Sequence, residues 1–192
     1  MHMNLLRNPV FFSFLFQLDR NLAEEARHKG CPECGGPLHW ANYERSPRGG
    51  VVGDNQEHTV RLSLCCGREG CRKRLTPPSV RFLGRKVYAG AVVVLVSAMS
   101  QGITPTRAEK IYQLFGVSSQ TLLRWRKWWL NDFANSRFWK GNKGLLNSPL
   151  YPVEMPLSLL ARFIGTLPDR LVALLRFLSP ISSASAPDNL AF

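Results

Sequence analysis

Two cysteine clusters constrain this chain more than any other feature. Cys31-Pro-Glu-Cys34-Gly-Gly comes first, and Cys65-Cys66-Gly-Arg-Glu-Gly-Cys71 follows after a stretch with strand-like character. Two short loops of this kind, set on separate turns, can bring four thiolates to the corners of one tetrahedron, the coordination of a structural zinc ion. A small β-rich unit buries too little apolar surface to fold unaided, and a bound metal supplies the missing stability. The expected ligands are Cys31, Cys34, Cys66 and Cys71. Cys65 competes with Cys66 for the third place, and Cys66 is preferred because it lies farther into the turn. Glycines beside the cysteines permit tight turns whose backbone N–H groups face the sulfurs.

A catalytic zinc keeps an open coordination position beside an acid or base. Glu33, Glu69, His28 and His39 are the residues at hand for that role. Four sulfur ligands leave no open position, so the expected zinc is structural and no catalytic residue is assigned. A redox role for Cys31-Pro-Glu-Cys34 lacks the βαβ pattern that such motifs accompany. Five cysteines, an odd number, fit a reduced compartment with four thiolates on metal and one spare thiol better than a disulfide scaffold.

Around this centre the chain divides into stretches of different character. Residues 1–29 read as an N-terminal helical arm: Leu18, Leu22, Ala23 and Ala26 recur at helical spacing. The apolar run Val10–Phe16 after Arg7 has no small-x-small cleavage site behind it, so the expected location is cytoplasmic. Residues 30–78 read as a zinc ribbon, with strands over Leu38–Tyr43 and Thr59–Leu64, the second half-buried by its alternation, and a Gly- and Pro-rich loop over 46–57. Pro77-Pro78 closes it.

Residues 79–131 read as a helical domain. Its first helix is expected from Arg85 or Lys86 to Ser100, closed by Gly102. The apolar run Val87–Met99 is about thirteen residues long, short of the roughly twenty a membrane span needs, so it reads as a buried core helix. A second helix starts at Thr104-Pro105 or Thr106 and ends at Gly116; Ser118 caps a third that runs to about Asn131. Residues 132–179 read as a C-terminal helical segment, with short helices over Leu157–Ile164 and Asp169–Leu178. Residues 180–192 read as a disordered tail. The fold class is therefore α+β: a small β-rich zinc ribbon followed by a helix-turn-helix domain and C-terminal helices.

The helix-turn-helix reading rests on Thr106 to Trp129. Ile111 and Phe115 face inward, Gly116 allows the turn, Val117 plugs the corner, and Leu122 and Trp125 bury the second helix. Tyr112 stands where such helices carry a small residue for close approach. Ser119, Gln120, Arg124 and Lys127 are left on the outer face, where polar side chains can reach base edges in a major groove. Ser118 and Thr121 lie at the helix N-terminus, placed for phosphate. An ordinary helical hairpin with a solvated basic face is the simpler alternative. Trp128, Trp129 and Trp139 read as core or interface residues.

Charge points the same way. The chain has 25 Lys+Arg against 13 Asp+Glu, a formal net charge of +12, which suits a polyanionic partner. A second basic cluster, Arg68, Arg72, Lys73, Arg74, Arg81, Arg85 and Lys86, surrounds the second cysteine loop and the linker after it. Arg72, Lys73 and Arg74 are its expected DNA contacts.

A Cys-x2-Cys ribbon, a basic linker, a helix and Gly116-Val-Ser-Ser-Gln-Thr-Leu-Leu-Arg-Trp125 together resemble the N-terminal DNA-binding part of certain bacterial insertion-sequence transposases and their short accessory proteins. The resemblance covers about residues 30–130. It implies binding to double-stranded DNA at element termini or a promoter, with the chain itself or a transposase as a further partner. It does not carry over strand-transfer chemistry, which needs a metal-holding carboxylate set. After Trp129 the acids are Asp132, Glu154, Asp169 and Asp188, with no α/β pattern to position them. A non-enzymatic, zinc-dependent DNA-binding protein is thus expected. The alternatives are an RNA-binding or ribosome-associated zinc-ribbon protein, with Trp40 and Tyr43 stacking bases, and a protein-interaction module that touches no nucleic acid.

Overall fold

The computed structural model describes residues 2–45, 59–83, 88–99, 104–146 and 154–183. The loop expected over 46–57, Arg85, Lys86, Gly102, Asp188 and residues 184–192 lie outside the described residues. The architecture mixes helices with small antiparallel sheets, and it divides by chemistry into a β-unit around the cysteines and a helical body around an aromatic core.

Helix α1 spans His2–Leu5, and α2, Pro9–Lys29, follows. Asn8 starts α2 by accepting the Val10 N–H, and Pro9 occupies a first-turn position where its missing N–H costs nothing. The sequence reading of an arm is corrected here: Phe11, Phe12, Leu15, Leu18 and Ala23 are buried, so α2 is a wall of the core.

In the β-unit, β1 (Leu38–Trp40), β4 (Leu64–Cys66) and β5 (Arg74–Leu75) form one sheet in the order β1-β4-β5. A separate pair joins β2 (Tyr43–Glu44) to β3 (Val60–Arg61). Each strand read as continuous is therefore broken in two. Asn42 makes the first break, its side chain accepting the Ser63 N–H at 3.1 Å while Ala41 N–H donates to Ser63 O at 2.8 Å. The half-buried alternation expected over Thr59–Leu64 is also corrected: Arg61, Leu62, Ser63 and Leu64 are all buried.

The reason is a polar joint between the two halves of the molecule. Arg61 donates through Nη2 to Pro77 O at 2.9 Å and Ser182 O at 3.0 Å, and its guanidinium lies 5.1 Å from the Phe82 ring centre. Burial pushes its pKa below the ordinary value, opposed by the charge of Asp19. Asp19, 1 % exposed on α2, accepts from Ser79 Oγ, from Val80 N at 2.7 Å and from Arg81 Nε at 2.8 Å. Arg81 reaches on to Val60 O at 2.6 Å and stacks on Phe16 and Phe82. A buried ion pair is tolerated only when the remaining donors and lone pairs are satisfied, and the serine and backbone partners meet that condition. Arg81, counted in the surface basic cluster from sequence, is therefore a buried structural residue.

The C-terminal end of the described chain completes the joint. Ser179–Ser182 forms a 3₁₀ turn, Ile181 is buried, and Ser182 Oγ accepts the Ser79 N–H at 2.7 Å. Residues 180–183 of the expected tail are thus ordered, because Ile181 and Ser182 fill this joint.

In the helical body, β6 (Phe82–Leu83) pairs with β7 (Tyr88–Ala89), which leads into α3, Gly90–Met99. The helix starts later than expected because Tyr88 and Ala89 are taken by strand pairing. Ala91–Val96 are at most 2 % exposed, and α3 packs against α5, α7 and α8. Among the described residues no helix is long and apolar enough to cross a membrane.

Helix α4 (Pro105–Phe115) is capped by Thr104 and ends at Gly116, whose φ of 63° is left-handed. Three residues later α5 (Ser119–Lys127) begins. Ile111, Phe115, Val117, Leu122 and Trp125 are buried, at the positions their spacing predicts. Tyr112 is 54 % exposed, so it does not hold the two helices apart. Past Lys127 the helix widens into a π-helical turn, Trp128–Phe133. Bonding from i to i+5 suits burial of Trp128, Trp129 and Phe133 together; their ring centres lie 4.8–5.3 Å apart. Ser136 then caps α6 (Arg137–Asn142), which seats Trp139 5.4 Å from Phe133. The short α7 (Leu157–Leu160) and α8 (Leu167–Leu178) close the core; α8 begins at a Thr166–Asp169 capping box.

Candidate metal centre and basic helix face

The first cysteine loop is built by its own backbone. Cys31 N–H donates to Gly36 O at 2.9 Å and Gly35 N–H to Cys31 O at 2.8 Å, with Gly35 at φ 68°. In the second, Gly70 (φ 82°) and Arg72 (φ 45°) turn the chain, and Cys66 N–H donates to Lys73 O at 2.9 Å. Gly67 N–H bonds Pro37 O at 2.9 Å and so ties one loop to the other.

These turns gather Cys31, Cys34, Cys66 and Cys71. Their sulfur atoms all lie within 4.8 Å of one another, with Cys31–Cys71 at 3.8 Å and Cys34–Cys66 at 3.5 Å. None of the five cysteines is in a disulfide. A regular tetrahedron with metal–sulfur bonds of about 2.3 Å has edges of about 3.8 Å, and the two closest pairs fall near that length while all four sulfurs stay within 4.8 Å. Gly36 makes the approach feasible: a Cβ there would lie 3.1 Å from Cys66 Sγ and 3.3 Å from Cys34 Sγ. Strand parity decides between the adjacent cysteines. Cys66 lies opposite Leu38 and points into the β-unit; Cys65 lies opposite His39 and Arg74 on the outer face, its thiol donating to Arg72 O at 3.5 Å.

Sharing protons splits the thiols. The Gly36 N–H, helped by the neighbouring sulfurs, lowers the Cys34 pKa to about 7 against the effect of burial. At Cys66 the Arg68 N–H pulls downward, but burial and the surrounding thiols prevail and raise it to about 12. Cys71 is also raised, against the Lys73 N–H and chiefly by Cys34. Cys34, Cys66 and Cys71 thus compete for negative charge, which a divalent cation among them would relieve. Among the described residues the tetrad is the one group of three or more His, Cys, Asp or Glu side chains placed to hold a metal. Glu33, Glu69, His28 and His39 do not join it. Glu33 lies 4.0 Å from Lys73, and a Cβ on Gly67 would touch the His39 ring, so His39 packs against that turn.

Helix α5 carries the other predicted residues. Ser119, Gln120, Arg124 and Lys127 are exposed along it, joined by Arg126 and by Leu123, which is 68 % exposed. Ser118 and Thr121 are committed to the helix start: Thr121 N–H donates to Ser118 Oγ at 3.3 Å and the two hydroxyls lie 3.1 Å apart. Their sequence assignment as phosphate ligands is thereby reduced to residual hydrogen-bonding capacity. The first turn of α5 contains no acid. Arg72 and Lys73 are exposed on the β4–β5 connection and Arg74 at the start of β5, elements distinct from α5, with Arg74 stacked 5.6 Å from the Tyr43 ring centre.

Asp132 and Glu154 are exposed, and Asp169 is occupied in capping Thr166. Sequence reasoning missed the buried cluster of Asp19, Arg61, Ser79, Arg81 and Ser182. The one local hint was an acid among the apolar positions of α2. No protein family, curated protein or solved structure matches this chain.

Proposed function

We propose that the chain is a zinc-dependent, sequence-specific DNA-binding protein without catalytic activity, of the accessory or regulatory kind associated with bacterial insertion sequences. Cys31, Cys34, Cys66 and Cys71 hold the zinc, which stabilises a ribbon and supplies no reaction chemistry because four sulfurs fill its coordination. Helices α4 and α5 act as a helix-turn-helix, with α5 as the reader in the major groove.

The observation that carries this reading is the outer face of α5. The helix is buried through Leu122 and Trp125, capped by Ser118, and leaves Gln120, Arg124 and Lys127 free at helical spacing. Arg124 matches guanine and Gln120 adenine in their hydrogen-bonding pattern. Arg126 and Lys127, with Arg72, Lys73 and Arg74, supply phosphate contacts and a salt-dependent affinity.

Selection from genomic fragments at moderate salt tests the reading. A recovered site should bind with Kd of order 10⁻⁸ M or tighter. Arg124→Ala should cost roughly 1–3 kcal/mol and relax one base position, whereas Lys127→Ala should lower affinity for all sequences and reduce the salt slope by about one. Recovery of no enriched sequence would overturn specific readout.

A further inference from the structure

We infer that Leu123 is a specificity-determining residue of α5, and that its partner is the 5-methyl group of a thymine in the major groove. The inference rests on the reading of α5 as the groove-bound helix. It adds an apolar contact to a surface otherwise assigned by hydrogen bonding and charge.

Helix α5 has three apolar residues, Leu122, Leu123 and Trp125. Leu122 and Trp125 are 6 % and 1 % exposed, as a helix seated on a core requires. Leu123 is 68 % exposed. Single leucines on a surface are ordinary, so exposure alone assigns nothing. Position does. At about 100° per residue, Gln120, Leu123, Arg124 and Lys127 fall within an arc of about 100°, centred opposite the seam of Leu122 and Trp125. Ser119 and Arg126, also exposed, lie between Leu123 and the core on its other flank. Leu123 is therefore surrounded by the polar face and is not part of the helix border that meets the core.

The chemistry of the groove selects the partner. A leucine offers no donor or acceptor to a phosphate or to a polar base edge. The thymine methyl is the apolar group that the four bases display in the major groove. Leucine against methyl removes apolar surface from water on both sides. Along the helix axis Leu123 is about 1.5 Å from Arg124 and about 4.5 Å from Gln120, against about 3.4 Å between stacked base pairs. The thymine should thus lie within about one base pair of the bases those two residues read. A second copy of the chain is the competing occupant. Across a two-fold axis it would set Arg124, Arg126 and Lys127 near their own counterparts, and α5 contains no acid to offset them.

The full zinc-bound chain is titrated with the duplex recovered by selection, in which each thymine is replaced in turn by uracil, the same base without its methyl. One replacement, next to the position relaxed by Arg124→Ala, should weaken binding about fourfold, the worth of one buried methyl group. Leu123→Ala should bind the thymine and uracil duplexes equally, and Leu123→Met should keep most of the preference. The alanine variant should fold as the parent does, because the side chain it shortens is exposed and alanine favours a helix. A recovered site without thymine, no uracil replacement that weakens binding, or an undiminished thymine preference in Leu123→Ala would overturn the contact. So would a change in the oligomeric state of the free chain on Leu123→Ala, which would assign the leucine to an interface between copies. Failure of the groove reading itself would look different: no site would be recovered, or Arg124→Ala would bind as the parent does, and the leucine contact would fall with it.

Discussion

The β-unit and the helical body are stabilised by different means. Leu38, Leu64, Cys31 and Cys66 are buried at the centre of the first, so half of that small core is sulfur. The second is a continuous apolar mass in which Trp129 packs edge to face against both Trp128 and Phe133. Apolar burial of that extent sustains a fold directly. The β-unit has only a fraction of it, and on the proposed reading a metal at its cysteines makes up the difference. The buried joint at Asp19 and Arg81 couples the two.

The largest effect should follow removal of the metal. Structural zinc supplies roughly 10–16 kcal/mol in small domains. Chelation, or Cys66→Ser, should abolish amide protection over 31–45 and 59–75 while α3, α5 and α8 stay protected in hydrogen exchange. Cys65→Ser should leave zinc content and protection unchanged. If both halves lost protection together, or if Cys65 proved the ligand, the contrast would be wrong.

Next comes the joint. Asp19→Ala leaves the Arg81 guanidinium buried without its counter-charge, at a cost of about 3–5 kcal/mol. Denaturant titration should show that loss in both halves, because Arg81 bonds Val60 O as well as α2. A loss confined to one half would show that the joint does not couple them.

The smallest effect belongs to the helical body alone. Thr166, through its side chain and its N–H, holds the Asp169 pKa below the usual carboxylate value of 3.8. A lowered folded-state value means the stabilisation is present above pH 3.8 and fades as pH falls through the folded pKa. Asp169→Asn should therefore lower the thermal midpoint slightly near neutrality and converge with the parent in acid. Equal differences at every pH would show that the charge is not the cause.

The sequence exposed features whose physics is local. Cys31-x-x-Cys34, the left-handed Gly116 and the Ser118 cap each depend on neighbours within a few residues, and each was legible. Trp128 and Trp129 read as core or interface residues, although the π-turn that seats them was not foreseen. Arg81 was not legible: it follows a run of exposed basic residues, and its partner Asp19 is 62 positions away. Cys66 could be preferred over Cys65 only weakly until the pairing with Leu38 fixed which of the two points inward. Helix α6 also carried a local signal, Ser136 two residues before Phe138 and Trp139. Ser118 and Thr121 show how one local pattern serves two readings, since hydroxyls at a helix start are as readily used by the helix itself.

The hydrogen bond from Arg61 to Ser182 O spans 121 positions. During synthesis at about 5–20 residues per second, its acceptor is made roughly 6–24 seconds after the arginine. Throughout that interval the guanidinium lacks its far partner, and the polar seam between the halves stays unsealed. The nascent chain is thus obliged to mature in order, with the sulfur-rich unit able to organise early and its union with the helices among the last events of assembly.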